Sequence, residues 1–365
     1  MAHSGRRRTS GCTVIRSSFA PCSPACKPTT LRIGSKWAEL QGARDWDGLL
    51  SPLDGALRGE LVRYGEFVRA AYASFDFDGG APSYGSCRFP SRSLLRRAGM
   101  PGRRGPGTGY IGFVAVCDDE REIERLGRRD VVVAFRGTAT CGEWVDNFKS
   151  GLTRLPIPTG EENGEEEAMV ESGFWRLFTA PGEAHSSLQQ QVRDEARRIA
   201  HEYGGSGMPL LSITVTGHSL GAALAVLTAH EIATTQQQRQ EEEHSGAEEP
   251  EMMVAAVSFG GPRVGNAAFR RRLEESGGKV LRVVNSDDIV TKVPGFPVHE
   301  NDDGNQPAKG MMKARVPRWL VSKMGWAYAD VGRELRLSQA AGSASNVVAS
   351  HDLDLYLKLV ASCTD

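Results

Sequence analysis

The chain of 365 residues has no apolar run of about 18 residues, so no membrane-spanning helix is expected. It has no charge excess: Lys and Arg number 44 against 45 Asp and Glu, a formal net charge of -1. That balance excludes a general nucleic-acid binder, which needs a cationic surface. Cysteine is scarce and odd in number, at 7, without metal-type spacing. Cys22 and Cys26 stand four apart, but no His or Cys pair follows nearby. This argues for free thiols in a reducing compartment over a disulfide framework or a zinc site. No internal repeat is present.

The first 36 residues lack acidic side chains altogether; the first is Glu39. They carry Arg6, Arg7, Arg8, Arg16, Lys27, Arg32 and Lys36 among many Ser and Thr, and they lack the long apolar centre of a secretory signal. This is the profile of an organelle transit peptide, plastid ahead of mitochondrion because Ser and Thr abound. Residues 1–36 are therefore set aside, and 37–365 are read as one folded domain.

Within the body, Leu57, Leu61, Tyr64, Val68 and Tyr72 recur at three- and four-residue intervals, one face of a helix. The Gly/Pro/Arg-rich stretch 96–109 reads as a loop. Residues 160–167 (GEENGEEE) and 236–251 read as solvated surface loops or helix extensions. Four short runs rich in β-branched residues predict buried strands: 131–135 (VVVAF), 211–216 (LSITVT), 254–259 (VAAVSF) and 280–284 (VLRVV). Helical stretches fall at 184–203, 220–235 and 266–275. The alternation predicts an α/β fold with a mostly parallel central sheet and helices on both faces.

Residues 217–221 read GHSLG, between a strand-like run and an Ala/Leu-rich helix. That is the form of a nucleophile elbow: Ser219 in a strained turn, glycines where backbones must pass closely. The pentapeptide alone is weak, with about 0.3 chance matches expected in a chain of this composition. Its strand–turn–helix setting is what gives it weight. The helix that follows turns its N-terminus to the site, making the Leu220 N–H a candidate oxyanion donor.

A serine nucleophile needs a base, and the base an orienting acid, in the chain order Ser, acid, His. Asp287 and Asp288 follow the 280–284 strand, and position alone does not separate them. Two histidines come later, His299 and His351. His351 is preferred because it precedes an apolar last helix, 353–360, from which it can reach across the sheet edge. His218, inside the elbow, reads as structural. A second oxyanion donor is expected from the loop after 131–135, where Thr138 follows Phe135, Arg136 and Gly137. Beyond it, Trp144, Val145 and Phe148 form one face of a short amphipathic segment, the candidate lid over an apolar pocket.

The pieces FRGT, GHSLGAALA, SFGGPRVGN and NSDDIVTKVPG, in this order, resemble a class 3 lipase. WDGLLSPLD, RYGEFVRAAYASFDFD, CRFPS, IGFVAVC, LGRRDVVVAFRGTAT and SHDLDLYLKLV make the chain most similar to plant plastid-type phospholipases A1, the group that includes the lipase releasing linolenic acid for jasmonate synthesis. The resemblance extends over most of the chain from Trp37. It implies an α/β-hydrolase fold with Asp288 as the acid, His351 as the base and Thr138 at the oxyanion. It also implies a hydrolase that cuts the sn-1 ester of membrane phospholipids or galactolipids at a lipid surface, with no metal or cofactor. The stretch from Arg96 to Tyr110 departs from the group's pattern by its shortness, which bears on substrate access and lid docking. Two other readings stand beside this one: a triacylglycerol lipase or soluble-ester esterase, and a lipase-like signalling protein without turnover.

Overall fold

Along the run 131–135, Val131, Val133 and Phe135 enter one hydrophobic cluster while Val132 and Ala134 enter another. A strand with apolar contacts on both sides needs no polar alternation, which is why these runs read as continuous hydrophobic stretches. The computed structural model describes residues 33–76, 83, 86–88, 94–102, 105–138, 151–156, 167–182, 185–205, 207–242, 252–294, 328–338 and 347–363.

Seven strands form the main sheet, and their spatial order follows their chain order. They are β1 (Leu94–Gly102), β2 (Gly105–Val116), β3 (Arg129–Phe135), β4 (Leu211–His218), β5 (Met253–Phe259), β6 (Lys279–Asn285) and β7 (Arg333–Leu337). The first three pair antiparallel; from β3 to β7 every pairing is parallel. A second small sheet joins the short strands Leu152–Arg154, Met169–Glu171, Gly265–Asn266 and Tyr328–Ala329. The helices used below are α1 (Gly55–Ala73), α2 (Glu120–Leu126), α3 (Ser172–Thr179), α4 (Leu188–Tyr203), α5 (Leu220–Glu242), α6 (Ala267–Glu275) and α7 (Leu353–Ser362).

The side on which each helix lies follows from this order. Parallel strands laid down in one direction, joined by right-handed crossovers, put their helices on one face. Residues of α3, α4, α5 and α6 accordingly share one cluster with Val131, Val133, Ile213, Val215 and Val254. The opposite face is covered from the two ends of the body, by α1 and α7 packing on Val257, Phe259, Leu281, Val283, Leu335 and Leu337. The two helices approach so closely that a Cβ on Gly65 would stand 2.1 Å from Leu357 Cδ2. This contact also helps to place His351, which stands two residues before α7.

Local signals set the helix starts. Asp54 caps α1 by accepting from the N–H groups of Ala56 and Leu57 at 2.8 and 3.0 Å. Ser187 caps α4, Asn266 caps α6 and Asp352 caps α7. Each side-chain oxygen satisfies an N–H that the first turn leaves without an intrahelical acceptor.

The stretch 96–109 differs from its expectation as a loop. It supplies most of the β1–β2 ladder, with Arg97 opposite Gly109, Met100 opposite Gly107 and Gly102 opposite Gly105. The backbone forms this ladder without an apolar pattern, and β1 is an edge strand, where proline and glycine are tolerated. Strand β7 (RELRL) is an edge strand with charged residues at three of its five positions, so it lacks the β-branched run by which β3 to β6 are read. The packed body begins at Ile33, which is buried and donates its N–H to Arg125 O at 3.0 Å. Residues 1–32, most of the presumptive leader, lie outside the described residues.

Candidate active site

Strand β4 ends in the turn that carries Ser219. Ser219 has φ of 61°, a left-handed conformation that a residue with a Cβ rarely adopts. The flanking glycines are required by contact. A Cβ on Gly217 would lie 2.2 Å from Gly221 O, and one on Gly221 would lie 2.6 Å from Arg136 O. The strain is held by the sheet beneath: the Ser219 N–H donates to Phe259 O at the end of β5, and Ser219 O accepts from Ala222 in the first turn of α5. The Ser219 Oγ is buried and makes no hydrogen bond among the described residues.

Asp288 lies just past the end of β6. It is fully buried, whereas Asp287 beside it is exposed. The Asp288 carboxylate meets three donors: His351 Nδ1 at 2.7 Å and the Tyr356 hydroxyl at 2.7 Å on Oδ2, and the Val290 N–H at 2.8 Å on Oδ1. Three such bonds fix the plane of the carboxyl group. The Tyr356 hydroxyl in turn accepts from the Asn285 N–H at 3.1 Å. Burial, with the Asp288 charge beside it, pushes the Tyr356 phenol well up, so it remains a donor.

His351 occupies the turn between the short helix Val347–Ser350 and α7. Two side chains from strand ends grip its backbone. Asn285 Nδ2 donates to Ser350 O at 2.9 Å, and His218 Nε2 donates to His351 O at 2.8 Å. The His218 and His351 rings lie 4.7 Å apart between centroids. Burial, and then the nearness of His351, bring the His218 imidazole down to about 3, so it is neutral throughout the physiological range.

The loop after β3 abuts the elbow. A Cβ on Gly137 would lie 3.0 Å from Ser219 Cβ and 2.8 Å from His218 O. Arg136, itself buried, holds this loop by donating from Nη1 to Gly137 O at 2.8 Å and from Nε to Tyr110 O at 3.0 Å. Its guanidinium stacks 3.7 Å from the Phe75 ring centre. Thr138 is the next residue, half-buried beside the site. Leu220 opens α5, so its N–H is one of those a helix start leaves for an external acceptor.

The residues singled out from the sequence thus divide. Ser219, Leu220, Asp288 and His351 converge at the carboxyl ends of the parallel strands, with the loop that leads to Thr138 against the elbow. Trp144, Val145 and Phe148, and the alternative base His299, lie outside the described residues. Sequence reasoning missed Tyr356, Tyr72 and Asn285. Tyr356 falls on the buried stripe of α7 with Leu353, Leu357 and Val360, so periodicity marks it as core and says nothing of its hydroxyl. Among the described residues no group of three or more His, Cys, Asp or Glu could hold a metal ion.

A profile of the family Lipase (class 3) matches residues 132–298. Phospholipase A(1) DAD1, chloroplastic, from Arabidopsis thaliana is 44% identical over 93% of this chain and 79% of its own length. Galactolipase DONGLE, chloroplastic, from the same plant is 35% identical over 91% of this chain and 71% of its own. Among solved structures, a triacylglycerol lipase from Penicillium expansum aligns with a TM-score of 0.44 and 15% identity, covering 78% of this chain and 81% of that one. The chain belongs to the class 3 lipases, in their plastid-type phospholipase A1 group.

Proposed function

We propose that the protein is a serine acyl hydrolase that cleaves the sn-1 ester of membrane glycerolipids, phosphatidylcholine or galactolipids, and releases a free fatty acid. The observation that carries this reading is the buried Asp288–His351 pair, 2.7 Å apart, beside the strained Ser219 turn. The names of the relatives, a phospholipase A1 and a galactolipase, supply the substrate class. Their chloroplastic designation supports a plastid location, with residues 1–36 as the import segment. Because Ile33 is already part of the core, cleavage that preserves packing falls before it.

In this mechanism Ser219 Oγ attacks the ester carbonyl and His351 Nε2 takes its proton. Asp288 holds the proton on Nδ1, so that Nε2 is the basic nitrogen, and stabilises the imidazolium that forms. The tetrahedral oxyanion is held by the Leu220 N–H and by Thr138. The helix start of α5 adds a favourable field there. Losing one such donor typically lowers kcat by about 10²–10³. His351 then protonates the departing lysolipid, and water repeats the cycle on the acyl-enzyme.

The test is hydrolysis of phosphatidylcholine, monogalactosyldiacylglycerol and triacylglycerol, each with different acyl chains at each position. Ser219→Ala is run beside the unmodified chain. Serine-dependent release of the sn-1 chain from a polar lipid is expected. Triacylglycerol as the only substrate cleaved would replace the reading by a neutral-lipid lipase. No release by the folded protein would favour a lipase-like protein without turnover.

A further inference from the structure

The elbow histidine, His218, has no part in the mechanism above, yet both of its ring nitrogens are engaged. Nε2 faces His351 O at 2.8 Å, and a carbonyl oxygen can only accept, so Nε2 carries the proton. With the imidazole neutral, Nδ1 is then the acceptor, and its partner at 2.9 Å, the Tyr72 hydroxyl, is the donor. The network therefore selects one tautomer of His218. Tyr72 reaches this point from the last turn of α1, and only because residue 137 is glycine: a Cβ there would stand 2.3 Å from the Tyr72 oxygen.

His351 needs such a hold. It sits in a turn between two helices, outside any strand, and its ring must meet both Asp288 and the serine. Asp288 fixes one ring nitrogen. The backbone beneath is fixed from the end of β6 by Asn285 and from the end of β4 by His218. His218 is bonded in the chain to Ser219, so the distance between nucleophile and base is set through one side chain.

We infer that His218, locked in its Nε2–H tautomer by Tyr72, is a positioning residue that sets where the base His351 stands relative to Ser219. The inference rests on the triad reading above. Its basis is geometric spacing: a misplacement of about 1 Å between reacting groups can cost 10²-fold in rate.

The experiment compares His218→Leu, His218→Gln and Tyr72→Phe with the unmodified full chain. Glutamine can donate to His351 O and accept from Tyr72; leucine can do neither. Two readouts are taken: kcat and KM on the substrate found above, and the downfield proton resonance of His351 Nδ1–H in the resting protein. The resonance tests the inference even if the protein hydrolyses no lipid, so the two readings fail separately. Melting temperatures identify folded variants. Expected are a fall in kcat of about 10- to 100-fold in His218→Leu with KM nearly unchanged, and a broadened or shifted His351 resonance. His218→Gln recovers most of both, and Tyr72→Phe shows the same changes to a smaller degree. If His218→Leu does not fold, the Gln and Tyr72→Phe arms decide: normal kcat and resonance in Tyr72→Phe, or full loss in His218→Gln, overturn the inference. In a folded His218→Leu, unchanged kcat and an unchanged resonance overturn it as well.

Discussion

At the end where β3 and β4 begin, the buried Arg128, Glu60 and Asp130 meet the half-buried Arg63. Arg128 donates to Glu60 at 2.9 Å, to Ser212 Oγ at 2.8 Å and to Tyr64 at 2.9 Å; Arg63 donates to Asp130 at 2.6 Å and to Glu60 at 2.8 Å. At the other end, where β4 and β6 finish, the buried carboxyl group is Asp288, and the histidine it holds also bonds His218, the neighbour of a serine whose hydroxyl has no protein partner among the described residues. The first cluster has two cations for two anions, each engaged by hydrogen bonds, with only Arg128 Nη1 buried without a partner among the described residues. The second keeps unused hydrogen-bonding capacity at Ser219, in a place where burial normally forbids it. Two polar clusters on one sheet thus differ: paired charges tie one end together, and in the mechanism proposed above the hydroxyl at the other end is kept for a substrate.

The comparison is broken most directly by exchanging the kind of damage. Asp288→Asn should lower kcat by about 10⁴-fold, because the amide favours the wrong imidazole tautomer, while the unfolding midpoint in urea changes little in relation to that loss. A kcat within tenfold of normal would remove Asp288 from the triad. Arg128→Ala should do the reverse. It leaves two buried carboxyl groups, Glu60 and Asp130, to the Arg63 guanidinium alone and should cost about 3–5 kcal/mol of stability, read by urea denaturation. Turnover per folded molecule should stay near normal; a loss of kcat as deep as that of Asp288→Asn would mean that the two ends are coupled.

A smaller effect sharpens the contrast. Burial alone would raise the Glu60 carboxyl, but the charges and hydrogen bonds of Arg63 and Arg128 outweigh it and bring it from 4.5 down to about 2. A carboxyl depressed by folding stabilises above its unfolded pKa and loses that contribution as pH falls through the folded one. Stability should therefore decline between about pH 4.5 and 2. Glu60→Gln should flatten that part of the curve, measured as urea midpoints at stepped pH. An unchanged slope would show that Glu60 is not the group responsible.

Ser212 and Thr214 show why the charged cluster could not be read from the chain. In LSITVT the hydroxyl residues look like ordinary members of a buried strand, and they are buried. Their side of the strand, however, faces Gln41 and α1: Thr214 Oγ1 donates to Gln41 Oε1 at 2.9 Å and lies 3.0 Å from the Tyr64 hydroxyl. The partners of Ser212 and Thr214 come from 82 to 173 residues away in the chain, and no local pattern joins them. The strands β3, β4, β5 and β6 were legible because β-branched runs bounded by turn residues carry their own signal. The β1–β2 hairpin was not, since its ladder is made by backbone that any sequence supplies.

The elbow itself is local chemistry. A serine between glycines, after a strand and before a helix, states its strained turn in five residues, because the clashes that demand glycine involve neighbours in the same segment and the loop beside it. Strand and helix order likewise follows from periods of two and 3.6 that are written along the chain. The choice between Asp287 and Asp288 is of another kind. The two are the same residue type one position apart, and one is exposed while its neighbour is fully buried against His351 and Tyr356. Only folding decides that, because it depends on α7 packing against α1 and bringing His351 to the end of β6.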